Sequence, residues 1–154
     1  MDKLEEQKAI RASIQTEKDA MDYYRYSAER MPDDKARATF ELLAREEYQH
    51  AESFYRIYTG QDIPSFETFM SAPPDTNSSW WKSLQTMLLQ DFDERKALEL
   101  AIEQEDALEQ ELRAMAAKIS DPDVARVYLA NASSTHHHME VIEEEYRAMF
   151  GMGG

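Results

Sequence analysis

The chain has 154 residues and a formal net charge of −14, and it contains no cysteine. The acidic balance argues against a nucleic-acid-binding surface, which needs a basic face. The lack of cysteine excludes disulfides, thiolate ligands and iron–sulfur or rubredoxin-type centres within these residues. Only four glycines and five prolines occur, and 42% of the residues are hydrophobic, which is typical of a helical globular domain.

The sequence predicts neither a membrane-spanning helix nor a signal peptide. No apolar run reaches the roughly 18 residues that a membrane-spanning helix needs. Residues 1–6 carry too many charges for a signal peptide. We therefore expect a cytoplasmic protein without a membrane partner.

Two long helices are predicted in the first half of the chain. The first runs from about Lys3 to Arg30, with Asp2 as its N-cap and Glu5 completing a capping box. The second starts near residues 32–34 and stops at Gly60. The short joint between them predicts an antiparallel hairpin over about residues 3–59.

The second half repeats this plan after a connection over about residues 60–90. This segment holds three prolines and is too long for a tight turn, so we expect a crossover along the bundle. A short helix containing Trp80, Trp81 and the leucines at 84, 88 and 89 is expected to pack on the bundle surface. A third helix is predicted from Asp91 or Asp93 to about Ser120, and a fourth from residues 121–122 to about Phe150.

The predicted architecture is an all-α four-helix bundle of two antiparallel hairpins joined by a long crossover, formed by one domain over residues 1–150. Its second hairpin covers about residues 91–150, and residues 151–154 form a flexible tail. Adding 88 to a position in the first hairpin gives a matching position in the second. Glu17 maps to Glu105, and His50 maps to His138. The shared offset indicates an internal duplication.

Polar residues interrupt the core-facing side of each helix near its middle. Residues three and four apart share one helix face. On each core-facing side, the residues near both ends of the helix are apolar. The middles of antiparallel helices meet at one level of the bundle. The polar core-facing positions are Glu17, Glu47, His50, Glu105, Glu109, Asn131, Thr135 and His138.

Carboxylates converging in a core repel one another unless they are protonated or paired with cations. A Glu on one helix and Glu-x-x-His on the next, given twice, is how a four-helix bundle holds two metal ions. Here Glu47 and His50 form the complete motif, whereas Thr135 stands where the second glutamate is expected before His138. The pattern predicts a metal site with one carboxylate missing.

Several residues close to these core-facing positions are not predicted to bind metal. Glu46 and His136 lie off the core-facing side and are expected at the surface. Tyr24 and Tyr128 are expected to be packed core tyrosines. In helix 4 an alternative register would place His137 and Ser134 in the core, but that face is less apolar and breaks the repeat, so His138 is preferred.

The segments around these residues resemble the rubrerythrin-like branch of the ferritin-like superfamily. The similarity lies in residues 14–24, 43–50 and 101–107, and it is weak in the fourth helix. The resemblance implies a bridging role for Glu47. It implies that His50 is a terminal ligand and that Glu17, Glu105 and His138 are further metal ligands. It also implies a homodimer.

The resemblance also implies a di-iron centre that reacts with dioxygen or hydrogen peroxide. The peroxidase members of the family carry a rubredoxin domain, so an external electron donor is expected here. Glu109 is a hypothetical substitute for the glutamate missing at Thr135, because it lies one turn after Glu105. The alternative is that Glu109 reaches solvent or pairs with Asn131 or Thr135.

Three functions remain open from the sequence. The first is an oxidoreductase-type protein with two Fe ions, acting in oxidant defence or iron handling. The second is a non-catalytic metal-binding or structural bundle that holds Mn, Zn or a single ion. The third is an interaction module whose core retains ancestral polar residues.

Overall fold

The computed structural model describes residues 1–88 and 91–151, and in these ranges all regular structure is helical. Four long helices and two short ones follow one another along the chain. They are α1 (Lys3–Arg30), α2 (Asp34–Tyr55), α3 (Phe66–Ser71), α4 (Ser79–Leu88), α5 (Glu94–Lys118) and α6 (Pro122–Phe150). None of the described helices is long and apolar enough to cross a membrane.

Side-chain caps explain where the long helices begin. Asp2 accepts a hydrogen bond from the Glu5 amide, and the Glu5 side chain accepts one from the Asp2 amide, so the predicted capping box is present. The side chain of Asp33 caps α2 by accepting from the Ala36 amide, and that of Asp93 caps α5 by accepting from the Lys96 amide. Pro122 occupies the first turn of α6, where a missing amide hydrogen costs nothing.

The end of α2 differs from the prediction. The helix ends at Tyr55, and Gly60 lies five residues further on rather than at the stop. The Gln7 side chain on α1 explains the early end, since its oxygen accepts a hydrogen bond from the Thr59 amide at 2.7 Å. This hydrogen bond to α1 thus holds the chain outside a helical path before Gly60.

The connection between the hairpins is more ordered than expected. Besides the predicted short helix, now α4, it contains α3, which Ser65 caps by accepting from the Thr68 amide. Trp80 of α4 is buried and packs against Tyr23 and Tyr24 of α1, with ring centroids 5.3 and 5.6 Å apart. The packing role predicted for Trp80 is confirmed, whereas the predicted contact of Leu89 lies outside the described residues.

The two hairpins meet across a common core. Helix α1 packs mainly on α2, and α5 packs mainly on α6. The Tyr23 hydroxyl of α1 donates to the Ala97 carbonyl of α5 at 2.7 Å and joins the hairpins. The fold is therefore the predicted all-α, ferritin-like bundle, with its polar layer at mid-height.

Candidate metal centre

The bundle brings five of the six predicted ligands together. The middles of α1, α2, α5 and α6 each contribute to one polar layer, and the side chains there are between 0 and 8% exposed. The members of this layer are Glu17, Glu47, His50, Glu105 and His138. His138 is buried and His137 is exposed, which confirms the predicted register of α6.

Glu47 lies at the centre of the layer, between the two histidines. Its Oε1 atom is 2.9 Å from Nδ1 of His138, and its Oε2 atom is 3.4 Å from Nδ1 of His50. The two imidazole rings are nearly parallel, with centroids 5.1 Å apart. Ligand atoms of these three residues all lie within 4.8 Å of one another, so one carboxylate has an oxygen for each histidine.

The remaining two glutamates lie on opposite sides of this trio. Oε2 of Glu17 is 3.4 Å from Nδ1 of His50, and Oε1 of Glu105 is 3.9 Å from Nδ1 of His138. The Tyr24 hydroxyl donates to Glu105 Oε1 at 2.7 Å, so the predicted satisfied core tyrosine is present. The layer therefore consists of two similar groups that share Glu47.

Unpaired polar atoms are concentrated in this layer. Among the described residues, seven buried side-chain nitrogen or oxygen atoms have no hydrogen-bond partner. Five of them belong to the candidate ligands: Glu17 Oε1 and Oε2, Glu47 Oε2, His50 Nδ1 and Glu105 Oε2. Unpaired buried polar atoms are costly in a folded protein, and each of these can coordinate a cation. The donor set of carboxylate and imidazole fits divalent iron, and it also fits zinc or manganese.

The carboxylates have divergent acidities in the metal-free protein. Burial raises the pKa of Glu17 well above its usual range, and the nearby Glu47 raises it further. Burial raises the pKa of Glu105 to about 7, again with a contribution from Glu47. Burial also acts to raise the pKa of Glu47, but the adjacent Glu17 acid and the imidazoles of His50 and His138 hold it well below its ordinary value. Glu47 is therefore the ionised member.

The histidines are basic in the metal-free protein. Burial alone would lower the pKa of His50, but Glu47 and Glu17 raise it to about 10. Burial likewise opposes protonation of His138, while Glu105 and Glu47 raise its pKa to about 11. At neutral pH each histidine carries a proton on the Nδ1 atom that faces the carboxylates. Protons thus supply the positive charge that a metal ion would otherwise bring.

The outward-facing nitrogen of each histidine is held by a side chain. Nε2 of His50 donates to Ser134 Oγ at 2.8 Å, and Nε2 of His138 donates to Glu46 Oε2 at 2.8 Å. Such contacts fix the tautomer and the orientation of a metal-binding imidazole. They leave both Nδ1 atoms directed at the carboxylates.

The role of Glu46 was missed from the sequence. Glu46 was expected at the surface because it lies about 100 degrees round the helix from Glu47, and its side chain is indeed 33% exposed. The His138 ring, however, extends from α6 far enough to place Nε2 beside it. The signal available in the sequence was Glu46 itself, a second acidic residue directly before the candidate ligand Glu47.

Glu109 is the predicted ligand that the structure does not bring to the layer. Its carboxylate accepts from Arg113 at 2.8 Å and contacts Nδ1 of His136 at 2.8 Å, near the surface. Glu109 thus lies toward the surface and pairs with neither Asn131 nor Thr135. Thr135 itself is fully buried and its hydroxyl has no hydrogen-bond partner. The position of the missing glutamate is thus occupied by a small polar side chain.

The comparisons with known proteins agree with this arrangement in the first hairpin. The Rubrerythrin family model matches residues 8–72, which cover most of α1 and all of α2 and α3. Over these residues the chain is similar to the rubrerythrin family. No curated protein and no solved structure matches it.

The matched segment contains the intact half of the rubrerythrin-like centre. Glu17, Glu47 and His50 fall inside it, whereas Glu105, Thr135 and His138 fall outside. The departure at Thr135 therefore lies in the part of the chain that the family model does not match. The buried Glu and His group supports metal binding of the di-iron type.

Proposed function

We propose that this protein holds two iron ions and oxidises Fe(II) with dioxygen or hydrogen peroxide. The observation that supports this most is the central position of Glu47, whose two oxygens face two different histidines at 2.9 and 3.4 Å. Glu17, Glu47 and His50 would hold one ion, and Glu105, Glu47 and His138 would hold the other. When bound, the two ferrous ions would supply the two electrons that reduce one peroxide molecule to water.

The protein's own contribution is a preformed and desolvated set of ligands. Ser134 and Glu46 orient the imidazoles from outside, and the Tyr24 hydroxyl orients Glu105. Because the layer is buried, bulk water is kept away from the ions and side reactions are limited. Glu17 and the two histidines would release protons when the ions bind.

Repeated turnover needs a supply of electrons from outside these residues. The 154 residues contain no cysteine, so they hold no thiolate redox centre that could return the ions to the ferrous state. We therefore include an external electron donor in the proposal. Oxidant defence and iron handling are the two roles that such chemistry would serve.

The decisive experiment is an anaerobic Fe(II) titration of the metal-free protein, followed by rapid mixing with oxidant. Two ions per chain and fast oxidation support the proposal. Glu47→Gln should abolish both, while Glu41→Gln, an exposed glutamate on the same helix, should behave as wild type.

Other outcomes would favour the non-catalytic alternatives. One tightly held ion that does not react with oxidant would indicate a structural metal site, and Thr135 in the bridging position is the observation that favours this possibility. An intact fold that binds no metal would contradict the proposal altogether. Parallel titrations with Mn(II) and Zn(II) identify the preferred ion.

A further inference from the structure

A small cavity in the side of the bundle extends inward toward Glu17. It has a volume of about 150 Å³ and lies between α1, α5 and α6. Ala12 and Glu111 are exposed and mark its outer end, whereas Glu17 is fully buried and marks its inner end. The cavity therefore ends against a candidate ligand, whose carboxylate oxygens are themselves closed to solvent.

Glu17 is not a passive part of the wall. Both of its carboxylate oxygens lack a hydrogen-bond partner although the side chain is 0% exposed. These oxygens are candidate metal-binding atoms, so the inner end of the cavity lies against the metal layer. The cavity and the metal layer thus share this residue.

The walls of the cavity are mostly apolar. Small and flexible side chains, Ala9, Ala12 and Met115, narrow it without closing it, and two leucines of α5 complete the apolar wall. The polar lining consists of Glu111 at the outer end, Glu17 at the inner end, and three hydroxyl residues between them. Two of these hydroxyl groups, those of Ser13 and Tyr128, hydrogen-bond to each other at 2.8 Å. The Ser13 hydroxyl also contacts the Ala9 carbonyl at 3.0 Å, so oxygen lone pairs remain free to accept a further hydrogen bond.

The volume and the lining together select the kind of occupant. At about 30 Å³ per water, the cavity holds on the order of five water molecules, which is less than a hexahydrated metal ion requires. A cation would also lose hydration against apolar walls at a high cost. A small uncharged molecule fits without either penalty, and one that can donate a hydrogen bond to the hydroxyl pair fits best.

We propose that the cavity lined by Ala9, Ala12, Met115 and Glu17 is the route by which a small uncharged oxidant reaches the metal centre. Hydrogen peroxide and dioxygen share the required size and lack of charge. This inference rests on the proposed function, because it assigns the oxidant's path to the same centre. It assigns metal ions a different route.

The first test closes the cavity at its outer end. Ala12→Phe places a large side chain at an exposed helical position, and Ala38→Phe is the matched control, since Ala38 is exposed on α2 and does not line the cavity. With protein preloaded with Fe(II), Ala12→Phe should lower the second-order rate of oxidation by about tenfold. The control should keep the wild-type rate, and both variants should keep the wild-type metal content.

The second test widens the cavity. Met115→Ala removes a partly buried side chain from the wall and should increase the rate with tert-butyl hydroperoxide, a bulkier oxidant, more than the rate with hydrogen peroxide. Separate runs with dioxygen and hydrogen peroxide show which oxidant Ala12→Phe excludes. Slower oxidation of Ala12→Phe by both oxidants, or by either one of them, supports the route.

A third test does not depend on the metal. Crystals of the metal-free protein under xenon pressure should show xenon between α1 and α5 in the wild type and none in Ala12→Phe. The inference is overturned if wild-type protein is oxidised and Ala12→Phe is oxidised equally fast. It is also overturned if Ala12→Phe slows Fe(II) loading while oxidation of preloaded protein is unchanged.

Failure of the proposed function has a different signature. In that case wild type and Ala38→Phe would bind metal without being oxidised, or would bind none. The xenon measurement then shows by itself whether the cavity admits a small uncharged guest. An absence of xenon in the wild type would overturn the route.

Discussion

The two hairpins are related by an offset of 88 residues, but they contribute differently to the centre. The first provides Glu17, Glu47 and His50, and the second provides Glu105, Thr135 and His138. The terminal carboxylate and the histidine are matched in both halves, and only the bridging position differs. A duplicated site can therefore lose one of its two shared ligands while both groups of terminal ligands persist, because Glu47 faces both histidines.

The largest effect is expected when the first hairpin is made like the second. Glu47→Thr removes the one carboxylate that faces both histidines within residues 1–88 and 91–151. It should lower metal affinity by more than about 100-fold, since changes outside the ligand set already cost 10- to 100-fold. Thr135→Ala is the matched control at the equivalent position of α6. Isothermal titration with Fe(II) under anaerobic conditions measures both, and equal affinities would show that the two halves are interchangeable.

Metal binding is expected to depend steeply on pH. His50 and His138 have pKa values of about 10 and 11 in the metal-free protein, so at pH 7 both must lose a proton before Nδ1 can bind an ion. Release of these two protons should lower affinity by about 100-fold for each unit of decreasing pH, and release of the Glu17 proton should steepen this dependence further. Titrations in buffers of different ionisation enthalpy count the protons, and a release near zero would refute this assignment.

The same raised pKa values stabilise the metal-free fold in a defined range. Because both histidines bind protons more tightly when folded, their contribution is fully present below the unfolded value of about 6.5 and is lost as pH rises through about 10. Urea unfolding of metal-free protein at pH 6 and pH 10 measures the loss. His50→Gln should flatten this dependence.

The converse change makes the second hairpin like the first. Thr135→Glu adds a buried carboxylate and should destabilise the metal-free protein by about 3 kcal/mol, since an uncompensated buried charge costs about that much. Added Fe(II) should reverse the loss by binding more tightly than to the wild type. Chemical unfolding with and without metal tests both parts, and a destabilisation that metal fails to relieve would argue against a bridging role at this position.

A smaller effect is expected from the groups that orient the histidines. Glu46→Gln and Ser134→Ala should each lower metal affinity by about tenfold without changing the stoichiometry. Glu41→Gln, on the exposed part of α2, is the control for Glu46. The imidazole tautomer can be followed by nitrogen NMR in the zinc-loaded protein. If Glu46→Gln changes neither the tautomer nor the metal affinity, Glu46 does not orient His138 for metal binding.

The smallest effect is expected at Glu109. Its carboxylate pairs with Arg113 and His136 near the surface, so Glu109→Ala should leave both metal content and oxidation rate unchanged. Metal analysis after dialysis is sufficient to check this. Loss of one ion would instead revive the hypothesis that Glu109 substitutes for the missing glutamate.

Much of this arrangement followed from local sequence patterns. The capping box at Asp2 and Glu5, the Asp caps and the 3.6-residue periodicity are local signals, so helix positions were predictable. The common offset of the two halves placed His138 rather than His137 in the core. The end of α2 was not predictable, because it depends on Gln7 of another helix.

The sequence by itself determined the helices, their hairpin pairing and the identity of five buried candidate ligands, because each depends on periodicity and chemistry within one segment. Only the tertiary structure decided that Glu47 lies between both histidines, that Glu46 holds His138 and that Glu109 pairs away from the layer. These outcomes depend on side-chain directions across neighbouring helices. Residue spacing along one helix carries no information about which atom of a partner helix a side chain will meet.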